Sequence, residues 1–377
     1  MPGAVRDRRS RRKAMKVGLL MVFQNFQDRV TDTDAYQRDI HLASLAEPLG
    51  FDTLSAVEHH FWNYAMSPDN TQFLAYMAAR TERIKLLTGA IILPWHSHPV
   101  RAVERMIMLD HLSGGRALLG VGRGLARREY EAFGIDMNEA RDRFDEAAEM
   151  ILRGLETGVV EGHGPYFPQK RIEVRPGNLA GAAPWRDRFY AVGMSSDSVP
   201  VVARLGAKMM SFAQKPWKEM TDHFGRYREL FAKHHPDRAV PAPVCVDFMC
   251  CDESGDRAEE LAREHMANYY VTVMEHYEMA STHFSQMKGY GDYATNAVAL
   301  QASGMDQAAN GFVDINTWGT PNRILEGLEQ RQRDIGDFDL TVQVSYGGMT
   351  PENAEKSMRL FASKVLPEVQ SWRRQAA

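Results

Sequence analysis

The chain has 377 residues, 44% of them hydrophobic, and a formal net charge of −4. That is enough apolar material for a sizeable core, yet no run of about 18 apolar residues exists, which excludes a membrane-spanning helix. Three cysteines, Cys245, Cys250 and Cys251, lack both the number for a disulfide framework and the spacing of a zinc site, so a reducing cytoplasm is the expected location.

The charge is uneven along the chain. Residues 1–13 carry six basic side chains (Arg6, Arg8, Arg9, Arg11, Arg12 and Lys13) against Asp7, a net +5 that leaves −9 for the rest. An acidic body does not advertise nucleic-acid binding. The basic head has no apolar h-region and is not a secretory signal. Residues 1–14 read as a disordered extension with Met15 as the true start, or else as an anchor for an acidic partner. Residues 15–377 read as one domain.

From there strands and helices alternate. Lys16–Phe23 is a buried strand pattern, and 33–49 is helical up to Gly50. Thr53–Val57 is the second strand, followed by a helix over 68–80. Ile84–Leu93 is the third, closed by Pro94. Pro99–Leu112 is a helix with Pro at its first position, where the missing N–H costs little. Ala117–Val121, Arg188–Val192, Lys208–Phe212, Val244–Cys251 and Leu340–Val344 supply five more strands. A Gly/Pro-rich excursion with a hairpin spans 158–184. Residues 285–317 show no clear period, and a structureless stretch that long reads as a mobile lid loop. Eight strands alternating with helices predict an α/β fold, a (β/α)8 TIM barrel.

Chemistry in such a barrel gathers at the C-terminal strand ends. Glu58-His59-His60-Phe61 closes strand two, and histidine titrates near neutral pH, which suits it to proton transfer; the other reading is a pair of structural histidines. Gly89 inside strand three signals either a ligand or close packing. Gly120-Val121-Gly122-Arg123-Gly124-Leu125 lets backbone approach a ligand and offers a cation for a phosphate, but it is not a dinucleotide fingerprint. Met194-Ser195-Ser196-Asp197-Ser198 opens a helix, as an anion site or an ordinary N-cap. Arg141 would supply a second cation. His96-Ser97-His98 has metal-binding spacing, but later strand ends offer no clear histidine to complete a metal hydrolase site. Phe23, Phe61, Trp62 and Trp95 would line an apolar mouth for substrate, or pack in the core.

Taken in order, these pieces resemble bacterial luciferase and its flavin-dependent monooxygenase family, most of all the luciferase α subunit. The matching stretches include Gly50-Phe51-Asp52-Thr53, Glu58-His59-His60-Phe61, Ala90-Ile91-Ile92-Leu93-Pro94 and His98-Pro99-Val100-Arg101. They continue with Arg123-Gly124-Leu125, Phe133-Gly134-Ile135-Asp136-Met137-Asn138 and Gly319-Thr320-Pro321.

The resemblance implies a barrel that takes reduced FMN from a separate NAD(P)H:flavin reductase. It implies O2 addition to the flavin at C4a, insertion of one oxygen atom into a small apolar organic substrate, and a homodimer. By position, Arg123, Arg141, Ser195 and Ser198 would hold the phosphate beside the Met194 backbone. Gly89–Ala90 would be a non-prolyl cis peptide under the flavin ring, with Gly122 and Leu125 also against the cofactor. His59 would be catalytic, with His60 and Glu58 holding the site in shape. The family's reactive cysteine is replaced by Gly122, the stretch Trp95-His96-Ser97 is one residue longer, and 291–317 lacks Lys and Arg. These departures point away from light emission. Three rivals remain at this stage: hydride transfer with deazaflavin F420 on the same fold, a non-catalytic supporting subunit, and the metal hydrolase.

Overall fold

The computed structural model describes residues 14–95 and 98–372. The basic head and the His96-Ser97 step of the metal motif lie outside the described residues.

Eight parallel strands close into a barrel: β1 (Val17–Met21), β2 (Thr53–Ala56), β3 (Lys85–Thr88), β4 (Ala117–Gly122), β5 (Phe189–Val192), β6 (Lys208–Phe212), β7 (Val244–Cys251) and β8 (Asp339–Gln343). Closure is direct. β1 pairs β2 on one side and β8 on the other (Val17 opposite Leu340), while β7 bridges β6 and β8. All five residues of β1 and all eight of β7 are buried. A parallel barrel covers both faces of each strand, so its strands are continuous apolar runs rather than alternating ones. That is why the eight predicted strands are all present.

Helices pack outside. α1 (Asp32–Ala46), α2 (Asn70–Ala78) and α3 (Pro99–Ser113) follow the first three strands, and α4 (Arg127–Ala132) and α5 (Ala140–Thr157) follow β4. α6 (Ser198–Arg204), α7 (Trp217–His234) and α8 (Gly255–His276) come next, then α9 (Gly291–Ser303), α10 (Met305–Ile315), α11 (Pro321–Ile335), α12 (Pro351–Lys364) and α13 (Leu366–Ser371). α11 and α12 start alike. Thr320 and Thr350 accept from the amide three residues on, and Pro321 and Pro351 stand at the first helical position. The excursion carries an antiparallel hairpin, Val159–Gly162 with Gln169–Glu173.

Two expectations need correction. Strand three is not continuous: it breaks at a cis Gly89–Ala90 bond, after which Ile91–Ile92 resumes pairing with β4. The stretch expected to be a structureless lid loop is mostly helix, α9 and α10. α10 buries Ala309, Phe312 and Val313, an i, i+3, i+4 stripe. α9 is rich in alanine, which favours helix without producing apolar–polar contrast, so no period shows. A short strand, Thr317–Gly319, adds to the far end of β7.

Candidate active site

The C-terminal ends of the strands open into a cavity of about 280 Å³. Its wall includes Glu58 and His59 after β2, Gly89 and Ala90 after β3, and Gly122, Arg123 and Leu125 at β4. Arg141, Met194, Ser195, Ser198 and Trp95 also line it. The α8–α10 side contributes Tyr269, Val273, Met274, Tyr277, Leu300 and Phe312.

One end is cationic. Arg141 is largely buried, and its Nη2 is buried with no partner among the described residues. Burial, and next the charge of Arg123, pull its pKa below the usual guanidinium range. The closest carboxylate oxygen, on Asp145, is 3.9 Å away. Two like charges are thus held together with little neutralisation, an arrangement that an anion relieves. Arg123 donates to the Gly289 carbonyl at 2.8 Å and lies over the Tyr290 ring at 3.9 Å. Ser198 Oγ accepts from the Met194 and Ser195 amides at 3.0 and 2.9 Å, and stands where an anionic oxygen would sit at this turn. Asp292, in the first turn of α9, accepts from the Ser196 amide and hydroxyl at 2.8 and 3.0 Å.

The floor is made of small residues. A Cβ on Gly122 would meet Ile92 Cδ1 at 2.9 Å, and one on Gly124 would meet Trp95 at 2.8 Å. Asn70 donates to the Ala56 and Ala90 carbonyls at 3.2 and 2.9 Å, tying β2 to the cis bond. Glu58 does similar work across the rim, accepting from the Ile92 amide at 3.2 Å and the Trp95 indole at 2.9 Å.

The same cavity wall carries a group of titratable side chains. His59 Nδ1 is 3.0 Å from Glu129 Oε1, which also accepts the His60 amide at 2.8 Å. His59 Nε2 is 3.1 Å from the Tyr277 hydroxyl. His276 is fully buried beside them, 3.7 Å from Glu129. Burial, then the neighbouring His59 and Arg128, hold it neutral and lower its pKa to about 2. At 3.7 Å Glu129 makes no hydrogen bond to it, and both His276 nitrogens are buried without a partner among the described residues. Ligating atoms of His59, Glu129 and His276 lie within 4.8 Å of one another, a spacing a metal accepts; His59–Glu129 is a hydrogen bond, whereas His276 makes none among the described residues.

His60 faces away from the cavity, edge-on to Phe133 and Trp95, and braces the rim. Of the four aromatics expected at the mouth, only Trp95 lines the cavity. Phe23 is in the core against Tyr36 and Phe73. Phe61 and Trp62 point outward, 65% and 44% exposed. Strand-end position alone does not say which way a side chain turns: Phe23 and Phe61 both have positive φ, which redirects them. Glu129, His276, Tyr277 and Asp292 were not anticipated. His98 caps α3, its Nδ1 accepting from the Val100 amide at 3.3 Å.

Residues 15–337 match the family model described as luciferase-like monooxygenase. The chain belongs to that family. It is 28% identical over 349 residues to the alkanal monooxygenase alpha chain of Photobacterium leiognathi, covering 89% of this chain and 94% of that one. Among solved structures it resembles monooxygenase RslO1 from Streptomyces bottropensis, with a TM-score of 0.71 and 27% identity over 94% of this chain and 99% of that one. The coenzyme F420-dependent tetrahydromethanopterin reductase of Methanopyrus kandleri shares the fold alone, at 18% identity and a TM-score of 0.65, covering 94% and 99% of the two chains. Like other luciferase-like monooxygenases the protein is an oxidoreductase on a TIM barrel. Among its described residues no helix is long and apolar enough to cross a membrane.

Proposed function

We propose that the protein is the oxygenase of a two-component system that receives reduced FMN from a separate NAD(P)H:flavin reductase and uses O2 to oxygenate a small apolar organic substrate. The observation that carries this reading is the under-neutralised Arg123–Arg141 pair in the wall of a largely apolar cavity that His59 also lines. The residues fit the cofactor: a buried, unpartnered Arg141 Nη2 for the phosphate, and Gly122 where a side chain would fill the floor. Bound reduced FMN supplies the electrons that activate O2.

The chain's own residues supply the rest. Arg123, Arg141, Ser195, Ser198 and the Met194 amide hold the phosphate. Gly89, Ala90 and Leu125 shape the ring site. Phe248 of β7 and, from the α8 and α10 side, Val273, Met274 and Phe312 present apolar surface to substrate and keep water out. His59, oriented by Glu129, handles the proton; Glu58 and His60 keep the rim in place. A homodimer is part of the proposal, supported by Tyr76, Met108 and Leu112, exposed on the packed helices α2 and α3. So is a cytoplasmic location, which suits three buried, unpaired cysteines.

The test is anaerobic titration with photoreduced FMN, then rapid mixing with oxygenated buffer and absorbance in the near ultraviolet. A long-lived transient before oxidised FMN returns is expected. No binding, or immediate return of oxidised FMN, would sink the reading. Substrate oxidation under argon with F420 would replace it by hydride transfer. His59→Ala is expected to keep reduced-FMN binding and slow turnover by roughly 10²–10⁴; unchanged turnover would remove His59 from catalysis.

A further inference from the structure

We propose that His59 does not meet the reacting oxygen itself: protons pass between it and the cavity through the Tyr277 hydroxyl, in a Glu129–His59–Tyr277 relay. The inference rests on the oxygenase reading above and deepens it.

Both imidazole nitrogens are already engaged. Glu129 Oε1 accepts the His60 amide at 2.8 Å, so it is an acceptor toward Nδ1 as well, at 3.0 Å. Nδ1 therefore carries the hydrogen, and in the neutral ring Nε2 is left as an acceptor. Its partner is the Tyr277 hydroxyl at 3.1 Å. Tyr277 lines the cavity, and its ring is set edge-on to His59, His276 and Tyr64. Neutral His276 and the Tyr64–Tyr269 hydroxyl pair, 2.7 Å apart, complete the enclosure, and the Tyr64 hydroxyl also faces that of Tyr277.

The step balances without a further reactant. As an acidic O–H in the cavity releases its proton to the Tyr277 oxygen, the phenolic proton moves to His59 Nε2. Tyr277 ends as it began, His59 becomes imidazolium, and Glu129 stabilises it. The reverse delivers a proton to an oxyanion in the cavity. Burial, together with Tyr64 and Glu129, pushes the Tyr277 pKa well above that of a free phenol. Tyr277 thus passes a proton on without resting as a phenolate. Glu129 acts through His59, whose Nδ1 it holds at 3.0 Å, and is a positioning residue.

The first measurement needs no cofactor: ¹⁵N-histidine NMR of the ligand-free chain. His59 is expected as the Nδ1–H tautomer with a hydrogen-bonded Nε2. Tyr277→Phe should move the Nε2 signal and leave Nδ1 in place, whereas Glu129→Gln, which can donate to Nδ1, should favour the opposite tautomer. The second is a proton inventory, in mixed H2O and D2O, on decay of the near-ultraviolet transient. A bowed plot is expected for the parent and a straight one for Tyr277→Phe. Tyr277→Phe and Glu129→Gln should each slow decay by roughly 10²-fold, and the double variant by little more. An Nε2–H tautomer in the parent, an Nε2 signal indifferent to Tyr277→Phe, or a plot still bowed in that variant would overturn the relay. Failure to bind reduced FMN would overturn the oxygenase reading instead, and the tautomer measurement would still judge the relay.

Discussion

Arg123 and Arg141 hold like charges in a partly desolvated pocket, so each removal has a defined sign. Arg123→Ala is expected to weaken reduced-FMN binding by about 10–100-fold, the loss of a charge-assisted hydrogen bond. Equilibrium titration checks it, and unaltered affinity would take Arg123 out of the phosphate site. His276 makes a pH prediction. Its pKa is depressed in the folded chain to about 2, below the unfolded value near 6.5. The unfolded chain therefore binds the extra proton, and stability falls as pH drops below about 6.5. The group contributes a loss of at most about 2 kcal/mol between pH 7 and 5. Denaturant melts of the parent and His276→Gln should converge at low pH; parallel pH dependences would refute it. These two residues also mark what sequence shows. Arg123 sits in a local glycine-rich motif that can be read directly. The partners of His59 lie 70 and 218 residues away, and no local pattern announces them.

At the level of elements, the strands were legible because burial on both faces leaves uninterrupted apolar runs, as in Val244–Cys251. α9 was not, because alanine and polar residues fold into helix there on propensity and on docking that only the three-dimensional structure supplies. The docking has a clear anchor, Asp292 on the Ser196 amide and hydroxyl. Asp292→Ala is expected to speed amide exchange in α9 without altering exchange in β1; equal protection in both variants would show that the anchor is dispensable. The β3–β4 junction is far less forgiving. Gly120 pairs with Thr88 through two hydrogen bonds, and a Cβ there would lie 2.1 Å from the Thr88 carbonyl oxygen. Gly120→Ala should cost about 2–3 kcal/mol by overpacking, read as a lower denaturation midpoint.

Over the whole molecule, closure of the barrel brings residues from seven of the eight strands and the loops after them to one cavity and leaves the opposite end to structural ion pairs such as Lys208–Asp339. The same closure places the α8–α10 region over both the anion end and the His59 end. Arg123 is the hinge between these two roles, because its guanidinium already bonds the Gly289 carbonyl and rests on Tyr290. A phosphate that recruits Arg123 must either share it with that segment or take it away. The two equilibria are therefore thermodynamically linked, and linkage is reciprocal. Whatever factor the cofactor imposes on the ordering of 288–292, a ligand that orders this segment must impose on cofactor affinity. In the proposed complex, cofactor affinity would therefore report whether 288–292 is ordered.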